Sequence, residues 1–306
     1  MYRGLMDAVV FEDVTKRFDT VVAVDRLGMR IAEGAVFGLL GPNGAGKTTS
    51  LRMIMHVLAP DSGSVQVHGQ RVGSGTQDLV GYLPEERGLY ARMKLREVLV
   101  FLAALKGLSQ AEAWERVRGW LERLELAAWA EKKVNDLSKG MQQKAQFIAA
   151  VVHRPPLLIL DEPFTGLDPV NATLIKDIML ELRREGSTII LSTHRMEQVE
   201  MMCDTICLVH HGRSVLAGDL RAIKRSYGKN TLRIEHSGDD GFLDLPNLVE
   251  NINRFGPVVE AKLRPGADPQ EILKAAVERG VRLTRFELVE PPLNDIFIEK
   301  VSESNA

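Results

Sequence analysis

The chain has 306 residues, room for about two domains of roughly 150 residues each. Its 45% hydrophobic and 26% charged residues exclude a disordered polymer. Lysine plus arginine (39) nearly balances aspartate plus glutamate (41), and the resulting net charge of −2 gives no electrostatic case for wrapping nucleic acid or lying on an anionic membrane.

In chain order, Met1–Val10 holds too short an apolar run for a secretory signal. Short β-rich runs follow at Val9–Phe11, Val21–Val24, Met29–Ile31 and Val36–Leu40. Ser64–His68 and Leu79–Leu83, separated by Gly73-Ser74-Gly75, read as a further strand pair. From Leu95 to Lys133 the pattern is helical, because Leu95, Val98, Leu99, Leu102 and Leu105 recur at helical spacing, as do Trp114, Val117, Leu121 and Leu124. The wholly apolar run Leu157–Leu160 predicts a strand buried on both faces of a parallel sheet. A helix over Val170–Glu185, a strand over Thr188–Leu191 and a hairpin of Thr205–His210 with Ser214–Ala217 come next. A domain boundary is expected at Tyr227-Gly228. Beyond it the pattern predicts strands at Thr231–Glu235, Val258–Leu263 and Val281–Leu288, with helices at Pro269–Arg279 and Leu293–Val301.

No apolar run reaches the roughly 18 residues of a spanning helix. Two cysteines, Cys203 and Cys207, exclude a disulfide framework and fit a reducing compartment. A cytosolic protein is expected, which would serve a membrane only through a partner.

One segment carries explicit chemistry. Gly41-Pro42-Asn43-Gly44-Ala45-Gly46-Lys47-Thr48, followed by Thr49, fits the phosphate-loop pattern G-x-x-x-x-G-K-[ST] in full, with an apolar strand before it and helical character after it. Glycines let backbone N–H groups turn onto phosphates, and a helix N-terminus adds partial positive charge. Lys47 would reach the β- and γ-phosphates, and Thr48 would hold Mg²⁺ through its hydroxyl. The strand Leu157–Leu160 ends in Asp161-Glu162, which places two carboxylates at the edge of the sheet where open α/β sheets bind ligands. Asp161 suits a Mg²⁺ ligand, and Glu162 suits the base that polarises an attacking water.

With Leu137-Ser138-Lys139-Gly140-Met141-Gln142, Gly166-Leu167-Asp168-Pro169 and Ser192-Thr193-His194, this ordered set resembles the ATP-binding subunits of ABC transporters. The added segments look like the family's signature motif, D-loop and switch histidine. The resemblance implies an α/β fold: a P-loop NTPase of the ABC ATPase type, with a RecA-like core, an antiparallel β subdomain and a helical subdomain over about residues 92–153. That ATPase domain would cover 1–227, and a small α+β accessory domain 228–306. The implied activity is ATP hydrolysis with Mg²⁺. Glu162, His194 and Lys47 would be catalytic, Phe18 would stack on adenine, and Ser138 and Gly140 would meet the γ-phosphate bound by an opposing subunit. Asp168 would work across the dimer interface.

The implied partners are a second copy or a related ATPase subunit, and an integral membrane permease that holds the chain at the cytoplasmic face. No nucleic acid is expected. Glu85 stands where the family usually has glutamine, and is a further candidate Mg²⁺ ligand, or else points away to pair with Arg87 or with a basic permease loop. Lys139 and Met141 also depart from the commoner signature. Both departures, and the ending Leu293-Asn294-Asp295-Ile296-Phe297-Ile298-Glu299, look similar to the bacterial sodium- and drug-exporter subgroup. The competing reading is a soluble ABC ATPase acting on ribosomes or DNA. Against it stand a single ATPase module, the lack of a long coiled-coil insertion and the lack of a basic excess.

Overall fold

The computed structural model describes residues 6–86, 88–228 and 230–305. The chain divides into two compact units, Met1–Gly218 and Asp219–Ala306. The division falls before the expected Tyr227 boundary, because the helix Leu220–Ser226 belongs to the second unit.

The first unit opens with strands β1 (Asp7–Phe18), β2 (Val21–Ala32) and β3 (Val36–Leu40), then helix α1 (Lys47–Ile54). Strands β4 (Ser62–Val67), β5 (Gln70–Arg71) and β6 (Val80–Leu83) follow, then helices α2 (Leu95–Leu105), α3 (Gln110–Arg123) and α4 (Lys139–Val151). The unit continues through β7 (Leu157–Asp161), α5 (Pro169–Arg184), β8 (Thr188–Thr193), α6 (Met196–Met202), β9 (Thr205–His210) and β10 (Arg213–Asp219).

Two sheets organise these elements. An antiparallel sheet has the order β2-β1-β4-β5, and a six-stranded sheet the order β10-β9-β3-β8-β7-β6. Every residue of β3, β7 and β8 is buried, as their continuous apolar runs require of parallel strands covered on both faces. β1 and β2 are each longer than the predicted runs. Their register shifts at several points, and those bulges interrupt the alternation that sequence reading depends on.

The expected pairing of Ser64–His68 with Leu79–Leu83 does not occur. β4 pairs with β1, whereas β6 runs parallel to β7 in the other sheet. A 3-10 turn over Ser74–Leu79 carries the chain from one sheet to the other, so the Gly/Ser punctuation marks a crossover and not a hairpin. At β6, helix α4 approaches so closely that a Cβ on Gly81 would stand 2.1 Å from the Ala150 carbonyl oxygen. Only glycine fits there.

The helices start on side-chain caps. Ser109 and Glu112 form a capping box on α3, Ser138 caps α4, and Asp168 caps α5 ahead of Pro169.

The second unit holds α7 (Leu220–Ser226), β11 (Thr231–Ser237), β12 (Val249–Phe255), β13 (Val258–Leu263), α8 (Pro269–Glu278), β14 (Arg282–Val289) and α9 (Leu293–Asn305). Its four strands form one antiparallel sheet in the order β12-β13-β11-β14. Leu232, Ile234, Val259 and Ala261 bury one sheet face against Ile272 and Ala276 of α8. The opposite face carries cross-strand ion pairs, among them Arg233 with Glu260 at 2.7 Å. β12 and α7 have no counterpart in the predicted elements; β12, half exposed and rich in asparagine and charge, lacks a clean period-2 signal. Among the described residues, no helix is long and apolar enough to cross a membrane.

Candidate functional site

The six-stranded sheet brings the candidate residues to one edge. β3 lies between β8 and β9, and β7 lies beside β8, with Leu40 level with Thr193 and Asp161 level with Ser192. The parallel strands therefore deliver the phosphate loop, Glu162 and His194 side by side at their carboxyl ends. The loop after β6 adds Glu85. A cleft of about 360 Å³ lies here, its wall made by Phe18, Ala23, Asn43, Gly44, Gly46, Lys47, Thr48, Thr49, Glu85, Asp161 and Glu162; His194 is not in that wall and reaches the site through its contact with Glu162.

The phosphate loop is held from behind. Gly41 has φ 146°, and a Cβ there would lie 2.1 Å from the Val209 carbonyl oxygen, so only glycine lets the loop leave β3 this close to β9. The Gly212 amide donates to the Ala45 carbonyl (2.9 Å), and the Asp25 amide donates to the Gly212 carbonyl (2.9 Å). Arg213 clamps the Asp25 carboxylate at 2.6 Å. Lys47, only 8% exposed, donates to the carbonyls of Gly41 (2.7 Å) and Pro42 (3.0 Å). Burial lowers its ammonium pKa, while the charges of Asp161, Glu162 and Glu85 oppose that shift. An ammonium so poorly hydrated is ready to exchange carbonyl partners for phosphate oxygens.

Glu162 lies just past the end of β7 in a left-handed backbone conformation, φ 50°. Its Oε1 is 2.6 Å from His194 Nδ1 and accepts from the His194 amide at 2.9 Å, and its Oε2 accepts from the Thr193 hydroxyl at 3.1 Å. Thr193 is the residue that sequence reading passed over: it was quoted in the Ser-Thr-His segment without a role of its own. Thr193 supports Glu162 from outside the cleft wall, whereas Ala23 is a wall residue whose small side chain carries no chemical signal in the sequence.

The donor set suits a hard cation. The Thr48 hydroxyl lies 3.5 Å from Asp161 Oδ2. Burial, reinforced by the charges of Glu85 and Glu162, pushes the Asp161 carboxyl up from its ordinary value, against the opposing charge of Lys47. A buried carboxylate among like charges, next to a hydroxyl, is a place where a divalent ion relieves repulsion. Among the described residues, no group of three or more His, Cys, Asp or Glu could hold a metal unaided. Mg²⁺ takes one or two protein oxygens together with water and substrate phosphates, and Thr48 and Asp161 are the residues that would meet it here. Arg87, the alternative partner for Glu85, lies outside the described residues.

Phe18 is 44% exposed beside this cleft, with Lys16 Nζ 5.6 Å from its ring centroid, so it presents an accessible π face and is not a core residue. Ser138, Gly140 and Asp168 are not in the cleft wall. Ser138 accepts from the Met141 amide as the cap of α4, and Asp168 accepts from the Asn171 amide as the cap of α5. That amide and the Asn171 side chain hold the Asp168 carboxyl below its usual range. A Cβ on Gly140 would lie 3.4 Å from the Gly166 carbonyl oxygen, so the signature segment and the D-loop adjoin each other.

The model of the ABC transporter family matches residues 24–165, and that of the ATP-binding protein DrrA1-3-like C-terminal domain matches residues 218–301. The second match begins where the second compact unit does. The chain is 45% identical over 293 residues, 96% of its own length and 98% of the relative's, to the uncharacterized ABC transporter ATP-binding protein YhaQ of Bacillus subtilis. It is 39% identical over 219 residues, covering 71% of this chain and 72% of the relative, to the Nod factor export ATP-binding protein I of Burkholderia thailandensis. A solved ATP binding subunit of an ABC transporter superposes with a TM-score of 0.67 at 32% identity, over 72% of this chain and 93% of that one. With its strand-flanked phosphate loop and paired Asp161 and Glu162 at the sheet edge, the chain belongs to the ATP-binding subunits of ABC transporters and is an ATPase.

Proposed function

We propose that two copies of this chain, or one copy and a related ATPase subunit, close head to tail on two Mg-ATP molecules and drive export through a separately encoded integral membrane permease. The observation that carries this reading is the division of the candidate residues into two surfaces. The cleft gathers Phe18, the phosphate loop, Asp161, Glu162 and Glu85, while Ser138, Gly140 and Asp168 lie together outside its wall. A head-to-tail pair would bring Ser138 and Gly140 of one copy onto the γ-phosphate held by the other.

Within the cleft, Lys47 and the amides of Gly44–Thr48 bind the phosphates, and Phe18 stacks on the base. Thr48 and Asp161 would hold Mg²⁺, with Glu85 beside them; the ion neutralises phosphate charge. Glu162, fixed by His194 and Thr193, orients the attacking water and takes its proton. Export agrees with the name of the Nod factor export relative. The permease would hold the chain at the cytoplasmic face of the membrane.

Sizing the Glu162→Gln variant with Mg-ATP tests the composite site. An ATP-dependent dimer is expected, and strictly monomeric behaviour at high protein concentration with bound ATP contradicts it. Lys47→Ala should abolish both binding and dimer formation. Co-purification from detergent-solubilised membranes with an integral membrane protein tests the permease.

A further inference from the structure

Helix α4 buries an unusual face. Gln143, Lys144 and Gln146 are 3%, 6% and 4% exposed, in a helix that otherwise turns Ala145, Phe147, Ile148 and Val151 inward. Polar side chains are buried at a penalty that hydrogen bonds offset only when each group is met. Here each of the three donates to a different loop of the site, although the Gln146 side-chain oxygen is buried without a hydrogen-bond partner among the described residues. The Gln143 side-chain amide donates to the Pro163 carbonyl at 3.2 Å, one residue beyond Glu162. Lys144 Nζ donates to Asn171 Oδ1 at 3.1 Å, and the Asn171 side-chain amide donates in turn to Asp168 Oδ2 at 2.5 Å. The Gln146 side-chain amide donates to the Glu86 carbonyl at 3.1 Å, one residue beyond Glu85.

A purely structural role would not call for this set. An aliphatic residue would fill the same volume without the desolvation penalty of an ammonium. Lys144 meets a neutral amide oxygen and not a carboxylate, so its pairing returns less than an ion pair would. What the arrangement does supply is connection. One rigid helix, whose N-terminus carries Ser138 and Gly140, is joined within about one turn to the backbone beside Glu162, to the backbone beside Glu85 and, through Asn171, to the Asp168 carboxylate. The close approach of α4 to Gly81 of β6 adds a packed contact to the strand that leads into Glu85.

We infer that Gln143, Lys144 and Gln146 are positioning residues through which α4 converts nucleotide contact at Ser138 and Gly140 into alignment of Glu162, Asp168 and the Glu85 loop of the same chain. This deepens the composite-site reading and rests on it. The three side chains touch no nucleotide themselves. They set the rate of the step that follows closure and leave the affinity of the open cleft unchanged.

The test measures kcat, KM and ATP affinity for the full chain and for Lys144→Met, Lys144→Arg, Gln143→Leu and Asn171→Ala. Asn171 is only partly buried, so its variant guards against loss of fold at the helix positions, and urea midpoints report folding for all four. Lys144→Met and Gln143→Leu should lower kcat about tenfold while the ATP dissociation constant stays within about twofold. Lys144→Arg, which keeps a donor, should retain most of the rate. Lys144→Met combined with Asn171→Ala should be no slower than the slower single variant, because both cut the same connection. Folded Lys144→Met and Gln143→Leu proteins with unchanged kcat overturn the inference, as does a loss confined to ATP affinity. Dimer formation by Glu162→Gln, measured separately, tells failure of this inference from failure of the composite site: a dimer with unaffected Lys144→Met turnover rejects the inference alone.

Discussion

His194 Nδ1 lies 2.6 Å from Glu162 Oε1, so the histidine beyond β8 and the carboxylate beyond β7 form a pair. The carboxylate also accepts from the His194 amide and the Thr193 hydroxyl, which fixes both oxygens. Preorganisation of this kind removes a reorganisation step from catalysis. Glu162→Gln should lower kcat by at least about 100-fold with little change in ATP affinity, the range expected for loss of a general base. Thr193→Val, which removes one of the three bonds, should give a smaller loss, about tenfold, consistent with one hydrogen bond to a charged group. Phosphate release together with equilibrium nucleotide binding distinguishes these outcomes, and a Glu162→Gln enzyme of near wild-type turnover would move the base elsewhere.

Glu85 makes metal-free nucleotide binding a sensitive readout. Its charge contributes to raising the Asp161 carboxyl, which places it within electrostatic reach of the candidate Mg²⁺ site. A like-charge pair at about 6 Å in an effective dielectric near 20 costs roughly 2–3 kcal/mol before screening. Glu85→Gln should therefore tighten ATP binding severalfold in EDTA and leave Mg-ATP affinity nearly unchanged. Equal EDTA affinities in a titration of the two proteins would instead assign Glu85 to a permease contact.

The Asp161 carboxyl predicts a pH-dependent stability difference. Burial raises its folded-state pKa above the ordinary value of 3.8, so ionisation opposes folding. Below the unfolded value both states keep the proton and the penalty is absent; it grows as pH rises through the folded value and is full above it. Without metal, Asp161→Asn should melt at a higher temperature than wild type at pH 7–8. The difference should shrink as pH falls through the raised value toward 3.8. Mg-ATP should reverse the order by stabilising the wild type alone. Calorimetry across pH checks all three, and a variant that melts lower in metal-free buffer at pH 7–8 refutes the argument.

The division between Gly218 and Asp219 predicts that a chain ending at Gly218 folds and binds ATP, because the cleft and its supports lie within the first unit. The second unit has its own core around Leu232, Phe242, Ala261 and Ile272. Circular dichroism and ATP titration of the shortened chain are the measurements. A folded fragment that fails to bind ATP contradicts the assignment.

Much of this site is legible in the sequence because its chemistry is local. The phosphate loop needs glycines, lysine and threonine at fixed spacing between a strand and a helix, and Leu157–Glu162 shows as an apolar run ending in charge. What was not legible depends on distant backbone. The separation of β4 from β6 turns on which sheet the edge strand joins, a choice made by the register of Val80 with Leu157 and not by either segment's composition. The burial of Gln143 and Lys144 has no sequence signal, since it becomes apparent only once Pro163 and Asn171 stand beside them. The expected end at Tyr227 followed a turn signal, while Asp219, the cap of α7, sits closer to the observed division.

The φ of 50° at Glu162 reaches beyond catalysis. A non-glycine residue in the left-handed region costs about 1 kcal/mol, which glycine would recover. Three hydrogen bonds, from the His194 ring, the His194 amide and the Thr193 hydroxyl, offset that cost and hold the side chain on the turn. A substitution at position 162 therefore acts twice, on the backbone turn and on the bonds that fix Thr193 and His194.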